Sequence, residues 1–127
     1  MTKRILVIDD EEAIRKSFLL AFEDTEYQMD VAESGERGIQ MKKDNKYDLI
    51  YLDLKMPGRN GVETLREIRK TDKKIPIYIV TAFYEEFFDQ LKSAEEGGIN
   101  FDVLRKPVDA DEILLVTKSV LEGPIGH

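Results

Sequence analysis

Three short stretches of the chain are apolar at nearly every position: Ile5–Ile8, Leu49–Leu54 and Ile77–Val80. Runs of this length, rich in Ile, Val, Leu and Tyr, predict strands buried on both faces of a parallel sheet. Two further stretches, Tyr27–Val31 and Phe101–Val103 continuing into Leu104 and Arg105, alternate apolar with polar. Alternation predicts a wetter face, as on edge strands. Between the runs lie helical spacings: Ala13, Ile14, Phe18 and Ala21; Val62, Leu65, Ile68 and Arg69; Phe87, Phe88, Leu91 and Ala94; Ile113, Thr117, Val120 and Leu121. A weaker helix opens at Ser34-Gly35-Glu36-Arg37 and runs through Ile39 to about Lys43. Asp109 with Glu112 three residues on predicts a capping box, and Gly97-Gly98 and Gly123-Pro124 predict helix stops.

The order is strand–helix repeated five times. Right-handed crossovers then place helices on both faces of one sheet. With the continuous runs at the centre and the alternating runs at the edges, the expected fold is α/β, doubly wound (βα)₅, its five parallel strands in the order 2-1-3-4-5. At 127 residues the chain is expected to be one domain, residues 1–122, with 123–127 a tail or a cut linker.

Composition narrows the chemistry. Nineteen Lys and Arg against 26 Asp and Glu give a net charge of −7, which disfavours direct nucleic-acid binding. There is no cysteine, and the one histidine is the last residue, His127. Thiol chemistry and histidine-based triads or metal sites are therefore excluded or improbable. No apolar run is long enough for a membrane span and no signal peptide opens the chain, so a soluble cytoplasmic protein is expected. Chemistry must rest on carboxylates, hydroxyls and amines.

In a doubly wound sheet the site lies at the carboxyl ends of the strands, near the switch between strands 1 and 3. There the sequence places Asp9-Asp10, Asp53, Thr81 and Arg105-Lys106-Pro107. Any one alone is an ordinary turn former or surface residue; four strand ends sharing one edge by accident is a weaker explanation. Clustered carboxylates repel unless a cation sits among them, and an oxygen-only ligand set suits Mg²⁺. Asp53, on a central strand, is then the best nucleophile towards a phosphoryl group, with Asp9 and Asp10 holding metal, Lys106 supplying positive charge and Thr81 a hydrogen bond.

Taken in order, Ile5-Leu6-Val7-Ile8-Asp9-Asp10-Glu11, Asp48-Leu49-Ile50-Tyr51-Leu52-Asp53-Leu54-Lys55-Met56-Pro57-Gly58, Thr81-Ala82 and Lys106-Pro107 resemble the receiver domain of two-component response regulators, over about residues 3–121. The resemblance implies a flavodoxin-like fold. It implies phosphoryl transfer to Asp53 from a phosphohistidine on a sensor histidine kinase or histidine phosphotransfer protein, followed by autodephosphorylation. It implies Mg²⁺ held by Asp10, Asp53 and the backbone carbonyl of Lys55, with Asp9 acting through water. Thr81 and Lys106 would contact the phosphoryl group, small Ala82 would leave it room, and Pro57-Gly58 would shape the loop.

Receivers usually carry an aromatic residue or His three positions before the lysine of strand 5; here that position is Val103. Either Phe101 takes the aromatic role through a shifted register or the switch is absent; the second is favoured. Phe83, Tyr84, Phe87 and Phe88 crowd the expected start of the fourth helix, more than one helix start can bury. The face made by the fourth helix, fifth strand and fifth helix is accordingly a candidate homodimer or output surface. Lys55 and Phe83 are candidate gates on hydrolysis, and Ile14, Arg15 and Phe18 candidate contacts for a kinase. Two other readings are a pseudo-receiver and an Asp-nucleophile phosphohydrolase. The second needs an Asp two positions after the nucleophile, where Lys55 stands.

Overall fold

The computed structural model describes residues 2–123. Its elements are β1 (Arg4–Ile8), α1 (Glu12–Ala21), β2 (Gln28–Ala32), α2 (Gly35–Asp44), β3 (Leu49–Leu52), α3 (Gly61–Thr71), β4 (Ile77–Thr81), α4 (Phe88–Glu96), β5 (Asp102–Arg105) and α5 (Ala110–Glu122). The five strands form one parallel sheet in the order β2-β1-β3-β4-β5, as the hydrophobic pattern predicts. The expected tail falls largely on residues 124–127, including His127, which lie outside the described residues.

Side chains alternate across the sheet, so the continuous apolar strands feed two separate cores. Leu6, Ile8, Ile50, Leu52, Ile77 and Ile79 face α2, α3 and α4, where Val62, Leu65, Ile68 and Leu91 meet them. Ile5, Val7, Leu49, Tyr51 and Val80 face α1 and α5, where Phe18, Phe22 and Ile113 close the layer. No helix among the described residues is long and apolar enough to cross a membrane.

Several boundaries differ from the expected ones. β3 stops at Leu52, because Asp53 and Leu54, though buried, lie beyond the last paired residues of the ladder. β2 does not alternate cleanly. Helices cover both its faces, so Met29 and Val31 pack towards α1 and α5, while Asp30 is turned inwards and held by Arg4 at 2.8 Å and the Tyr47 hydroxyl at 2.6 Å. β5 begins at Asp102, so Phe101 precedes the strand. α4 begins only at Phe88: residues 84–87 form turns, and its N-cap Phe87 has no side chain able to accept a hydrogen bond.

Only half of the capping box expected at α5 forms, with Asp109 accepting from the Glu112 N–H at 2.8 Å. The complete box is at α3, where Asn60 accepts from the Glu63 N–H at 3.0 Å and the Glu63 carboxylate accepts from the Asn60 N–H at 2.9 Å. Just inside that cap, Gly61 is pressed against the main chain after β3. Its N–H donates to the Leu54 carbonyl at 2.8 Å, and a Cβ there would lie 2.1 Å from the carbonyl oxygen of Asp53.

Candidate phosphoryl-accepting site

The carboxyl ends of β1, β3, β4 and β5 bring the expected residues together. The main chain fixes them first: the Asp53 N–H donates to the Ile8 carbonyl at 2.9 Å, the Asp9 N–H to Ala32 at 3.1 Å, and the Lys106 N–H to Thr81 at 2.8 Å. These bonds continue the parallel ladders one residue past the strands, so three side chains leave the sheet edge side by side. Asp9, Asp10 and Asp53 each offer a carboxylate oxygen, all within 4.8 Å of one another. Asp9 and Asp53 are buried and Asp10 is half-buried.

Lys106 reaches into this cluster. Its Nζ donates to Asp9 Oδ2 at 3.0 Å and stands 3.7 Å from Asp53 Oδ1 and 3.8 Å from Glu11 Oε1. Asp9 is further held by the Glu11 N–H, 2.9 Å from Oδ1, and its carbonyl accepts from Arg15 Nη1 at 2.9 Å. Asp53 Oδ1 is buried and accepts no hydrogen bond. Burial, followed by the charge of Asp9, pushes Asp53 up to about 7, against the pull of Lys106. Burial also raises Asp9, opposed by the Glu11 N–H and by Lys106. For Lys106 burial works to lower the pKa, but the combined pull of Asp53, Asp9 and Glu11 wins and holds it above the usual lysine value. The cluster is thus short of positive charge. A buried, unpartnered oxygen beside two more carboxylates and only oxygen donors is a fit for a hard divalent cation such as Mg²⁺.

Thr81 is fully buried at the end of β4, its hydroxyl oxygen accepting from the Phe83 N–H at 2.9 Å; its own proton faces no competing use in that bond. Ala82 is exposed beside it. The Lys55 ammonium lies 3.2 Å from Glu86 Oε1 and 4.5 Å from the centre of the Phe83 ring, so the two candidate gates touch one another. On the other side of the same loop Arg105 pairs with Glu85 at 2.7 Å and lies 4.4 Å from the Tyr84 ring centre.

Other expected contacts separate. Phe87 is core, at 6% exposed, whereas Phe88 is 44% and Phe83 39% exposed. Phe101 and Val103 both pack, half-buried, towards α4, sharing a groove with Tyr84 and Phe88; Phe101 is a full strand step further from Thr81. Phe18 is not a surface residue: it is buried with its ring 5.2 Å from Tyr51. Ile14 does line an open hollow of about 310 Å³ with Ala82, Lys106 and Pro107. Sequence reading missed Glu86 as the partner of Lys55 and Arg15 as the clamp on the Asp9 carbonyl. Neither pairing has a local signature: Lys55 and Glu86 lie in loops after different strands, and Arg15 on α1 reaches a main-chain carbonyl rather than a side chain.

A five-stranded sheet of this order with its acidic cluster at the strand 1–strand 3 switch defines a CheY-like α/β receiver fold. A CheY-like receiver domain protein from Methanospirillum hungatei superposes with a TM-score of 0.86 over 96% of this chain and 95% of that one, at 24% identity. The Francisella response regulator 1452 receiver domain gives 0.80 at 28% identity over 95% and 98%. The chain belongs to the response regulator receiver domain family, whose model matches residues 5–118. Its sequence is 39% identical to transcriptional regulatory protein ResD of Bacillus subtilis over 93% of this chain and 48% of that protein. The chain spans about half the length of the curated relatives it matches.

Proposed function

We propose that the chain is a phosphoryl-accepting signalling switch whose acceptor is Asp53. In this reading an Asp53 carboxylate oxygen attacks the phosphorus of a phosphohistidine on a sensor histidine kinase or phosphotransfer protein. The P–N bond breaks, the imidazole leaves, and an acyl phosphate remains until water cleaves it. The observation that carries the proposal is the unpartnered, buried Asp53 Oδ1 at the end of a central strand, 3.7 Å from the Lys106 ammonium. Asp10, Asp53 and the Lys55 carbonyl would hold Mg²⁺, with Asp9 acting through water. The bound ion would supply charge neutralisation for the phosphoryl oxygens. Lys106 gives the incoming group a fixed counter-charge, the Thr81 hydroxyl is a donor at its edge, and Ala82 leaves it space. Output through α4, β5 and α5, a homodimer on that face and a cytoplasmic location belong to the same proposal.

Incubation with acetyl phosphate and Mg²⁺ tests it. One hydroxylamine-labile phosphoryl group is expected per chain, absent from Asp53→Asn. Wild-type labelling of that variant overturns the assignment.

A further inference from the structure

Charge is divided unevenly along this chain. Residues 37–74 hold eleven of the nineteen Lys and Arg but only six of the 26 Asp and Glu, a net of +5, and the remainder stands at −12. α2 and α3 pack side by side on one face of the sheet, so segregation in sequence becomes segregation in space. The carboxylates on this face are already engaged. Glu67 is bound by Lys70 at 2.7 Å, with Arg59 and Lys43 also drawing its pKa down, and Asp72 is bound by Lys42 at 3.1 Å.

At the end of the sheet away from the aspartates, the basic face narrows into a groove of about 340 Å³. One wall is the last part of α3 and the turn after it, with Arg66, Lys70 and Lys73; the other is the α4–β5 connection, Gly97–Asn100. Arg69 forms the floor. It is buried, and it donates to the Asn100 carbonyl at 2.8 and 3.1 Å and to the Asp72 carbonyl at 3.2 Å. Carbonyl acceptors fix the guanidinium without pairing it to a carboxylate. Arg66 and Lys73 are exposed and join no ion pair among the described residues. The opposite wall lacks side chains at Gly97 and Gly98; a Cβ on Gly98 would meet nothing within 4 Å, so an approaching main chain finds open space.

We propose that this groove docks an acidic segment of a partner protein, a short extended run of Asp and Glu whose carboxylates meet Arg66, Lys70 and Lys73. The groove's size and its surroundings select this occupant. A nucleic-acid duplex, with a charge about every 1.7 Å, extends past so small a patch and onto repelling surface. A short acidic run stays on the patch, and screening over about 8 Å at physiological salt weakens the repulsion from Glu95 and Glu96, exposed at the end of α4 beside this wall. The site is distant from Asp53 and does not depend on phosphorylation.

The test is an NMR titration of the full, isotope-labelled chain with a glutamate-rich peptide of about ten residues at about 0.15 M salt. Amide shifts are expected to be confined to Arg66–Lys74 and Gly97–Asn100. The double variant Arg66→Glu/Lys73→Glu should bind at least ~10-fold more weakly, since both side chains are exposed and the charge reversal acts at short range. Gly97→Val, which narrows the groove without changing charge, should also weaken binding, and Lys118→Glu on α5 should leave it unchanged. Melting curves matching wild type show that each variant is folded. Shifts elsewhere, unchanged binding by the double variant or by Gly97→Val, or a short duplex that binds as tightly as the peptide, overturns the proposal.

Discussion

Lys106 donates to Asp9 Oδ2 at 3.0 Å, on the same edge of the sheet but from a strand on the far side of β3 and β4. That one bond spans the candidate site and leaves Asp53, between the two residues, with the weaker share of the ammonium, at 3.7 Å.

The first prediction follows from that imbalance and concerns the metal-free protein. Asp53 is held at about 7, above an unfolded carboxylate, chiefly by burial and by Asp9. Between the two values the folded state keeps a proton that the unfolded chain has released. Stability is therefore full below the ordinary carboxylate range, falls as pH rises towards about 7, and then levels. Urea unfolding in EDTA should show a loss of roughly 2 to 3 kcal/mol from about pH 5 to 8, at about 1.4 kcal/mol per pH unit. Asp53→Asn should flatten most of that slope. A stability that rises over this range contradicts the assignment.

Mg²⁺ should reverse the loss. Binding only the folded state gives about 1.4 kcal/mol at roughly ten times the dissociation constant. Protons compete for the same oxygens, so the gain in melting temperature should be larger at about pH 8 than at pH 5. Asp10→Asn should lose most of it; an equal gain in that variant rejects the carboxylate cluster as the metal site.

On the α5 side of β3, the buried Tyr51 hydroxyl meets Thr117 Oγ1 at 2.6 Å, and Thr117 also donates to the Ile113 carbonyl at 2.8 Å. The two halves of this bond are unequal under mutation. Tyr51→Phe leaves Thr117 its bond to the Ile113 carbonyl and should cost about 1 kcal/mol, whereas Thr117→Val leaves the buried Tyr51 hydroxyl only a long 3.4 Å contact with that same carbonyl and should cost about 1–3 kcal/mol. Denaturant midpoints for the two variants measure this; a larger loss for Tyr51→Phe refutes the asymmetry.

The Lys55 ammonium lies over the Phe83 ring, and under the proposed function these two side chains would flank the water that attacks an acyl phosphate on Asp53. Lys55 has no acceptor with which to orient water, and Phe83 adds only bulk. The phosphoryl group should therefore be lost several-fold faster from Lys55→Asn/Phe83→Ala, followed as first-order decay of purified phosphoprotein at fixed Mg²⁺ and pH. An equal or slower rate removes both residues as gates.

Much of this was legible in the sequence. The order of elements, the sheet topology and the convergence of Asp9, Asp10, Asp53, Thr81 and Lys106 all follow from apolar runs and what ends them. Hydrophobic pattern locates a strand well but not its last residue. Leu54 looks like part of β3 because it is apolar, yet pairing, not burial, ends the ladder at Leu52. The aromatic run hid the start of α4, since helical spacing cannot separate Phe87 in a turn from Phe88 in a helix. Asn60-Gly61-Val62-Glu63 carries a readable cap signal, Asn with Glu three residues on. Pairs such as Lys55–Glu86 and Tyr51–Thr117 join separate elements, and only the fold brings them together.

The cap of α3 also bears on how this protein ages. Asn followed by Gly is the dipeptide most prone to deamidation, because an unhindered glycine nitrogen can attack the asparagine side chain and close a succinimide ring. In the folded chain that chemistry is blocked from both ends. The Asn60 side chain is held on the Glu63 N–H, and the Gly61 nitrogen is bound to the Leu54 carbonyl and pressed against the backbone of Asp53. Ring closure at position 60 therefore requires the first turn of α3 to come away from the Asp53–Leu54 backbone. The slow gain of about one mass unit there becomes a chemical clock, counting how often the ground beneath Asp53 opens.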